Sequence, residues 1–277
     1  MWARLVAAGL EKDHGRRVIV ENKPGGGGVI AANTLLNTPA DGSSILVMAA
    51  STLIIPSKLV KPTPFELSDF APVSLFVRSN VVLLVNPSVP ATTARELIEY
   101  VKQNPGKVLA ASPSVASMGG FLTMKLAEWG KIDLPLVPYK GSAPAMQAVM
   151  ANEVQVFMAD ITQSLPFIQS GKLRVIAQLG ETRAPQLPQV ETLSETIPGF
   201  TSDLWFGFVT KAGTPPSTIS TLNQQINGVL GSSEMREKAL AMGASIVRQS
   251  PEHFQTLLNE EAKTYGDLIE RNKISIN

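Results

Sequence analysis

The sequence contains no cysteine and very little histidine. Without cysteine, the 277-residue chain has no thiol nucleophile, no disulfide and no cysteine-ligated zinc site. Its two histidines, His14 and His253, are too few to ligate a metal ion without help from carboxylates. We therefore expect neither a metal ion nor a cofactor.

Long apolar runs and an excess of charge of one sign are also missing. No apolar run reaches the roughly 18 residues that a membrane-spanning helix needs. The formal net charge is +1, so a nucleic-acid partner or a strongly basic partner is not expected. With 44% hydrophobic and 17% charged residues, the composition is typical of a globular protein and not of a disordered one.

Known catalytic signatures are absent too. The sequence has no GxSxG nucleophile turn, no HExxH zinc motif and no phosphate-binding GxxxxGK[ST] loop. His253 falls within the predicted last helix and has no supporting motif around it. These absences favour binding over catalysis.

Short apolar runs alternate with amphipathic helical patterns along most of the chain. Helix starts are indicated by Thr93 with Glu96, which form a capping-box pattern, and by Ser142 with Pro144. Strands separated by such helices predict an α/β fold with parallel sheets covered by helices on both faces. The predicted strands span residues 18–20, 44–49, 81–85, 108–111, 136–138, 154–158 and 173–179.

Two apolar runs, Val81–Asn86 and Trp205–Thr210, have the character of crossings between two lobes. We predict that residues 1–85 and 208–277 form lobe 1 and that residues 86–207 form lobe 2. The carboxyl ends of strands from both lobes should then line a ligand-binding cleft. Trp205 could line its floor or simply pack in the core.

In lobe 1, two segments are candidates for ligand contact. Gly27 and Gly28 end a glycine run that opens a helix, where backbone amides favour an anion, although a tight turn explains the same pattern. Ala50, Ser51 and Thr52 follow a strand, where hydroxyls suit a cleft wall or an ordinary helix cap.

In lobe 2, a hydroxyl-rich loop holds the corresponding position after a strand. Its hydroxyls and amides could bind a carboxylate without an arginine, or they could merely cap the next helix. Asp160 ends another strand and could hold an ammonium or hydroxyl group, or cap the following helix. Lys140 occupies a similar position and could attract anions. The candidates in the loop are Ser112, Ser114, Ser117, Met118 and Gly119.

Taken in order, several motifs resemble those of the Bug-type solute receptors of tripartite tricarboxylate transporters. The resemblance covers essentially the whole chain. It implies a two-lobed periplasmic-binding-protein fold of type II, a Venus flytrap, that holds a carboxylate through the loops at 49–52 and 112–120 and near Asp160. The motifs are Val20–Gly28, Pro39–Gly42, Asp69–Val73, Val85–Pro90, Val137–Ala145, Ser170–Arg174 and Trp205–Gly207.

The sequence departs from this family in two places. The loop of lobe 2 contains Pro113 and Val115 where such receptors usually have more glycine. Family members also begin with a signal peptide, a first strand and a glycine-rich loop, and Met1–Leu5 does not have the pattern of a signal peptide. We therefore expect this sequence to be N-terminally truncated, to lack the first strand of lobe 1 and to bind weakly.

The resulting hypothesis is a monomeric periplasmic receptor that closes on a small carboxylate and delivers it to membrane permease subunits. The carboxylate would be a di- or tricarboxylate, an aromatic acid or an acidic amino acid. A ligand-sensing receptor for a membrane signalling partner is an alternative, and an enzyme on a similar fold is a third.

Overall fold

The structure is a computed structural model that describes residues 2–59, 62–114 and 117–271. The chain forms two compact units, each built from helices and strands. Unit 1 comprises Met1–Arg78, Trp205–Leu240 and Ser245–Asn277, and unit 2 comprises Ser79–Leu204 and Ala241–Ala244. The predicted two-lobed α/β fold is confirmed.

The helices and strands alternate along the chain as the sequence pattern predicts. The helices are α1 (Trp2–His14), α2 (Val29–Leu36), α3 (Ala50–Leu59), α4 (Ala94–Gln103), α5 (Met118–Gly130), α6 (Ser142–Met150), α7 (Ile161–Gln169), α8 (Leu193–Thr196), α9 (Pro216–Leu230), α10 (Ser233–Ala241) and α11 (Pro251–Arg271). The strands are β1 (Leu46–Ala49), β2 (Phe70–Val85), β3 (Ala110–Ser112), β4 (Leu136–Pro138), β5 (Val156–Asp160), β6 (Arg174–Gln178), β7 (Asp203–Lys211) and β8 (Ala244–Ile246). None of the helices in the described ranges has the length and apolarity that crossing a membrane requires.

The sheet of unit 2 is mixed. Strand β3 pairs in parallel with β4 and with β5, as predicted for strands joined by helices. Strand β2, however, pairs antiparallel with β5 and with β6, so the expectation of purely parallel pairing is wrong there. Strand β2 is the first strand of unit 2 along the chain, and no crossover helix of this unit precedes it. Antiparallel pairing does not require such a helix.

Helices cover both faces of this sheet. Along β2, Val81, Leu83 and Val85 join a cluster with α4 and α5, whereas Val82 and Leu84 join a cluster with α6 and α7. Both faces of the strand are therefore buried, which explains its continuous apolar run. Each fully buried valine or leucine side chain stabilises the folded state by about 1.5–3 kcal/mol relative to an exposed one.

In unit 1, β1 pairs antiparallel with β7, and the aromatic side chains of β7 pack against the core. Trp205 is 3% exposed, lies 5.3 Å from the Phe254 ring and donates from Nε1 to Glu261 Oε1 at 3.2 Å. A Cβ at Gly207 would collide with the Phe254 ring. Trp205 therefore packs in the core of unit 1.

One local prediction from the sequence is wrong, and another holds in part. Residues 18–20 form no strand, and Ile19 is 81% exposed, because no described strand pairs with this segment. At the start of α4, Thr93 accepts from the Glu96 amide as expected. The Glu96 carboxylate accepts mainly from the amide and hydroxyl of Thr92, both at 2.7 Å, one residue before the expected Thr93 amide.

Some elements escaped the sequence analysis although their signals are present. Helix α8 begins with a capping box between Thr192 and Glu195, which the pattern Thr-x-x-Glu indicates. Helix α10 follows Ser232, whose hydroxyl accepts from the Met235 amide at 3.2 Å. Both helices are short, and their apolar faces are too small to dominate the sequence pattern.

Candidate functional site

The hydroxyl-rich loop of unit 2 is a hydrogen-bonded turn between β3 and α5. Ser112 is fully buried, and its Oγ donates to the Ser114 carbonyl at 2.6 Å and lies 2.8 Å from Ser117 Oγ. Ser117 is the N-cap of α5 and accepts from the Gly120 amide at 3.2 Å. Val115 and Ala116, between these serines, lie outside the described residues. The Ser112 hydroxyl therefore links the described residues on the two sides of this segment, Ser114 and Ser117.

The N-terminus of α5 lies directly against β5 and the loop. A Cβ at Gly119 would collide with the backbone carbonyl of Met158, and one at Gly120 would lie 2.8 Å from Ser112 Oγ. The two glycines thus permit the helix to approach the sheet closely. Met118 packs partly against the apolar cluster of α4 and α5, and its sulfur accepts from the Ser202 hydroxyl at 3.7 Å.

A second loop lies beside the first, at the carboxyl end of β4. The amide of Tyr139 donates to the Ser112 carbonyl at 2.8 Å, and the amide of Gly141 donates to the Pro113 carbonyl at 3.0 Å. These two bonds hold both loops side by side. Lys140 is exposed between them, and burial raises the pKa of the Tyr139 hydroxyl, with a smaller contribution from the nearby Glu153 carboxylate.

Helix α6 begins without a side-chain cap. Its N-cap is Gly141, at φ 113°, a conformation that a side chain would disfavour. In an α-helix the first amides have no intrahelical partner, and among the described residues the N–H groups of Ser142 and Ala143 have no acceptor. Sequence analysis missed these two donors. A helix-opening sequence without Ser, Thr, Asp or Asn at the cap is the signal that could have found them.

Asp160 ends β5 and caps α7. Its Oδ1 accepts from the Thr162 amide at 2.9 Å, and the residue is 8% exposed. Burial raises the pKa of this carboxyl, although bonds from Thr162 oppose the shift.

Ser79 of β2 lies near the Asp160 carboxyl. Neither the buried Asp160 Oδ2 nor the Ser79 hydroxyl has a hydrogen-bond partner among the described residues. The Ser79 hydroxyl nevertheless lowers the pKa of Asp160 slightly, which means that the two groups are adjacent without good bonding geometry. The N-cap role expected as one alternative for Asp160 is thus present in the structure.

The candidate residues of unit 1 lie at two helix N-termini. Gly28, at φ 102°, caps α2 without a side chain, and a Cβ there would collide with Thr52 Cγ2 of α3. Ser51 is buried at the first turn of α3, directly after β1. Gly27 and Ala50 belong to the 3-10 turn Gly26–Gly28 and to α3, and the structure describes only their backbone. The turn and the start of α3 are therefore packed together.

Across the described ranges, no three His, Cys, Asp or Glu side chains come together in a way that would hold a metal ion. The candidate residues of unit 2 instead surround the first turns of α5, α6 and α7. Such a group of amides and hydroxyls suits an anion.

Comparisons with known proteins bear on the whole chain. The sequence profile described as "Tripartite tricarboxylate transporter family receptor" matches residues 2–274. Protein BugT of Bordetella pertussis is 30% identical over 272 residues, which cover 97% of this chain and 83% of BugT.

Solved structures agree with this result. R. palustris Rpa4515 with adipate matches with a TM-score of 0.93 at 28% identity, over 99% of this chain and 92% of that one. The periplasmic binding protein BugD matches with a TM-score of 0.92 at 28% identity, over 99% and 92%. MatC from Rhodopseudomonas palustris, with bound malate, matches with a TM-score of 0.89 at 27% identity, over 96% and 92%.

Proposed function

Because the chain belongs to the tripartite tricarboxylate transporter receptor family, as a Bug-type member, we propose that it is a periplasmic receptor that binds a small carboxylate and delivers it to the membrane subunits of such a transporter. Receptors of this family are extracytoplasmic solute-binding proteins and not enzymes. The solved relatives with adipate and malate support a carboxylate as ligand.

The observation that carries this proposal is the uncapped start of α6 beside the start of α5. A helix N-terminus bears a partial positive charge and presents unpaired amides, so it stabilises a carboxylate without a cationic side chain. The amides of Ser142 and Ala143 in α6, and that of Gly119 in α5, are the donors that we assign to the ligand.

The described parts of the two loops suit this role because hydrogen bonds link them to one another. Ser112 and Ser117 fix the turn before α5, and the amide of Gly141 ties the second loop to the first. These described residues then lose little conformational entropy when a carboxylate binds, which favours affinity. In unit 1, the starts of α2 and α3 offer the same chemistry around Gly28, Ser51 and Thr52.

Asp160 contributes to this site by fixing the first turn of α7. We keep direct contact between Asp160 and a ligand ammonium as a prediction. The substitution Asp160→Ala should then weaken the binding of aspartate more than that of malate, as measured by calorimetry. Equal losses for the two ligands would rule out the contact.

A proline at the first position of α6 tests the proposal. Ser142→Pro removes one amide donor, and proline is well tolerated at this helix position, so folding should be kept. Ser142→Ala is the matched control because it keeps the amide and removes only the hydroxyl. We expect Ser142→Pro to weaken carboxylate binding roughly tenfold, which corresponds to one charge-assisted hydrogen bond, and Ser142→Ala to weaken it much less.

Binding is measured by thermal shift and calorimetry with malate, adipate and citrate, with the diamide of adipic acid as a neutral control. A bound carboxylate raises the melting temperature by mass action. The proposal fails if the diamide binds as well as adipate, or if no carboxylate shifts the melting temperature. If Ser142→Pro and Ser142→Ala bind equally, the assignment of the Ser142 amide fails.

A further inference from the structure

Unit 2 carries a shallow depression away from the loops described above. It lies between α4, the C-terminal end of α5 and α8, and it has a volume of about 230 Å³. The buried residues Ile98 and Gly130 line its base, and a Cβ at Gly130 would already touch Ile98 at 3.3 Å. This close approach of α4 and α5 keeps the depression shallow.

Trp129 lines the depression and is far more exposed than the other two tryptophans. Of the three tryptophans, Trp2 and Trp205 are 7% and 3% exposed, whereas Trp129 is 50% exposed. The two buried rings pack against phenylalanines of unit 1. Folding therefore leaves about half of Trp129 exposed. A half-exposed tryptophan beside a depression has the character of an anchor for a partner.

The charged residues that line the depression beside Trp129 are mostly positive. Arg95, Lys102 and Lys131 line the depression, and Glu99 is the acidic residue among them. Lys102 Nζ lies 3.2 Å from Glu99 Oε1, on the surface, where such a pair contributes little. Within the described part of the chain, Arg95 and Lys131 form no ion pair. The site thus has a local cationic excess although the whole chain is nearly neutral.

The size of the depression and its side chains decide what it could bind. At about 230 Å³ it is smaller than the roughly 300–1,000 Å³ of typical small-molecule pockets. Tryptophan and arginine are the residues that most often dominate protein–protein interfaces. An acidic segment of a protein, with one side chain in the depression and its carboxylates against Arg95 and Lys131, complements both features.

We propose that this depression, defined by Arg95, Lys102, Trp129 and Lys131, is the surface through which the receptor docks onto an acidic segment of the transporter's membrane subunits. The proposal rests on the proposed delivery function, but it does not depend on which carboxylate is bound. Trp129 supplies apolar contact, and the cations steer the encounter and fix its orientation.

The test measures binding of the complete receptor to the purified membrane subunits of the tripartite transporter from the same organism, held in lipid nanodiscs. The variants are Trp129→Ala and the double charge reversal Arg95→Glu with Lys131→Glu. The matched control is Lys107→Glu with Lys172→Glu, which changes the net charge equally at exposed positions elsewhere in unit 2. Malate and adipate binding and the melting temperature of each variant are measured in parallel.

We expect each depression variant to weaken nanodisc binding roughly tenfold or more, with ligand binding and melting temperature unchanged. The charge reversal should also remove most of the salt dependence of binding, because exposed charges are screened within about 10 Å at 0.1 M salt. The control variant should bind like the wild type.

Other outcomes overturn the docking proposal. These are equal binding by all variants, equal loss in the control, binding to protein-free anionic vesicles that Trp129→Ala abolishes, or loss of malate binding in Trp129→Ala. If no carboxylate binds the wild type while docking still depends on Trp129, the proposed ligand class fails and the docking surface stands.

Discussion

Gly119 offers the sharpest test of how α5 is positioned at the candidate site. In Gly119→Ala the new methyl group would collide with the backbone carbonyl of Met158, which cannot rotate away as a flexible side chain could. Overpacking of this kind costs about 1–3 kcal/mol, and the helix propensity of alanine returns at most about 1 kcal/mol. We therefore expect the free energy of unfolding to fall by about 1–2 kcal/mol.

Gly228→Ala is the matched control, because Gly228 lies within α9 and no atom of the described residues is within 4 Å of the added methyl group. The same substitution should here raise the free energy of unfolding by about 0.8–1 kcal/mol. For a domain of this size, 1 kcal/mol corresponds to about 2–4 °C in melting temperature. The melting temperature should therefore fall in Gly119→Ala and rise in Gly228→Ala.

Thermal and urea unfolding followed by circular dichroism measure both changes. In addition, Gly119→Ala should weaken malate or adipate binding, because α5 must shift away from β5 and carries the Gly119 amide with it. Equal stability of the two alanine variants would refute the close approach of α5 to the Met158 carbonyl.

Three further predictions concern charged groups. Because burial raises the pKa of Asp160, ionisation of its carboxyl favours unfolding, and this penalty is absent below the ordinary aspartate pKa and grows as the pH rises. Asp160→Asn, which can still cap α7, should raise the free energy of unfolding by about 1–3 kcal/mol at pH 8 and by little at pH 4, and a difference independent of pH would contradict this. The Arg183 guanidinium lowers the pKa of the Glu195 carboxyl to about 2. In Arg183→Met, NMR titration should show this pKa rising toward 4.5. An unchanged pKa would exclude the ion pair as its cause. Arg174 donates to carbonyls of the 87–91 segment, at 2.9 Å for Val89, so Arg174→Met should lower the free energy of unfolding by about 1–3 kcal/mol in urea, and an unchanged midpoint would show that these bonds contribute nothing.

Much of the fold was predictable because its signals are local. The run Val81–Val85 predicted a strand buried on both faces, and Ser117 predicted the start of α5, since apolar periodicity and caps act within a few residues. The segment 18–20 shows the limit of this reasoning. Its residues favour a strand, but a strand forms only where another one pairs with it, and none of the described strands does.

The candidate site was predictable as a set of loops but not as a set of contacts. The hydroxyl-rich segment after β3 was visible in the sequence. The hydrogen bonds of the Ser112 hydroxyl with Ser114 and Ser117 were not. The amides of α6 were missed because backbone donors are marked in the sequence only indirectly, by the absence of a capping side chain at Gly141. Their availability depends on Gly141 being a cap without a side-chain oxygen.

The sequence by itself determined the α/β class, the order of most elements, the hydroxyl-rich loops and the resemblance to carboxylate receptors. These properties follow from composition, periodicity and motif order, which are one-dimensional. The tertiary structure alone decided that β2 pairs antiparallel, that Asp160 caps α7 with a raised pKa, and that Trp129 is exposed among cations while Trp2 and Trp205 are buried. Strand pairing, burial and local charge each depend on residues far apart in the chain, so only the folded arrangement defines them.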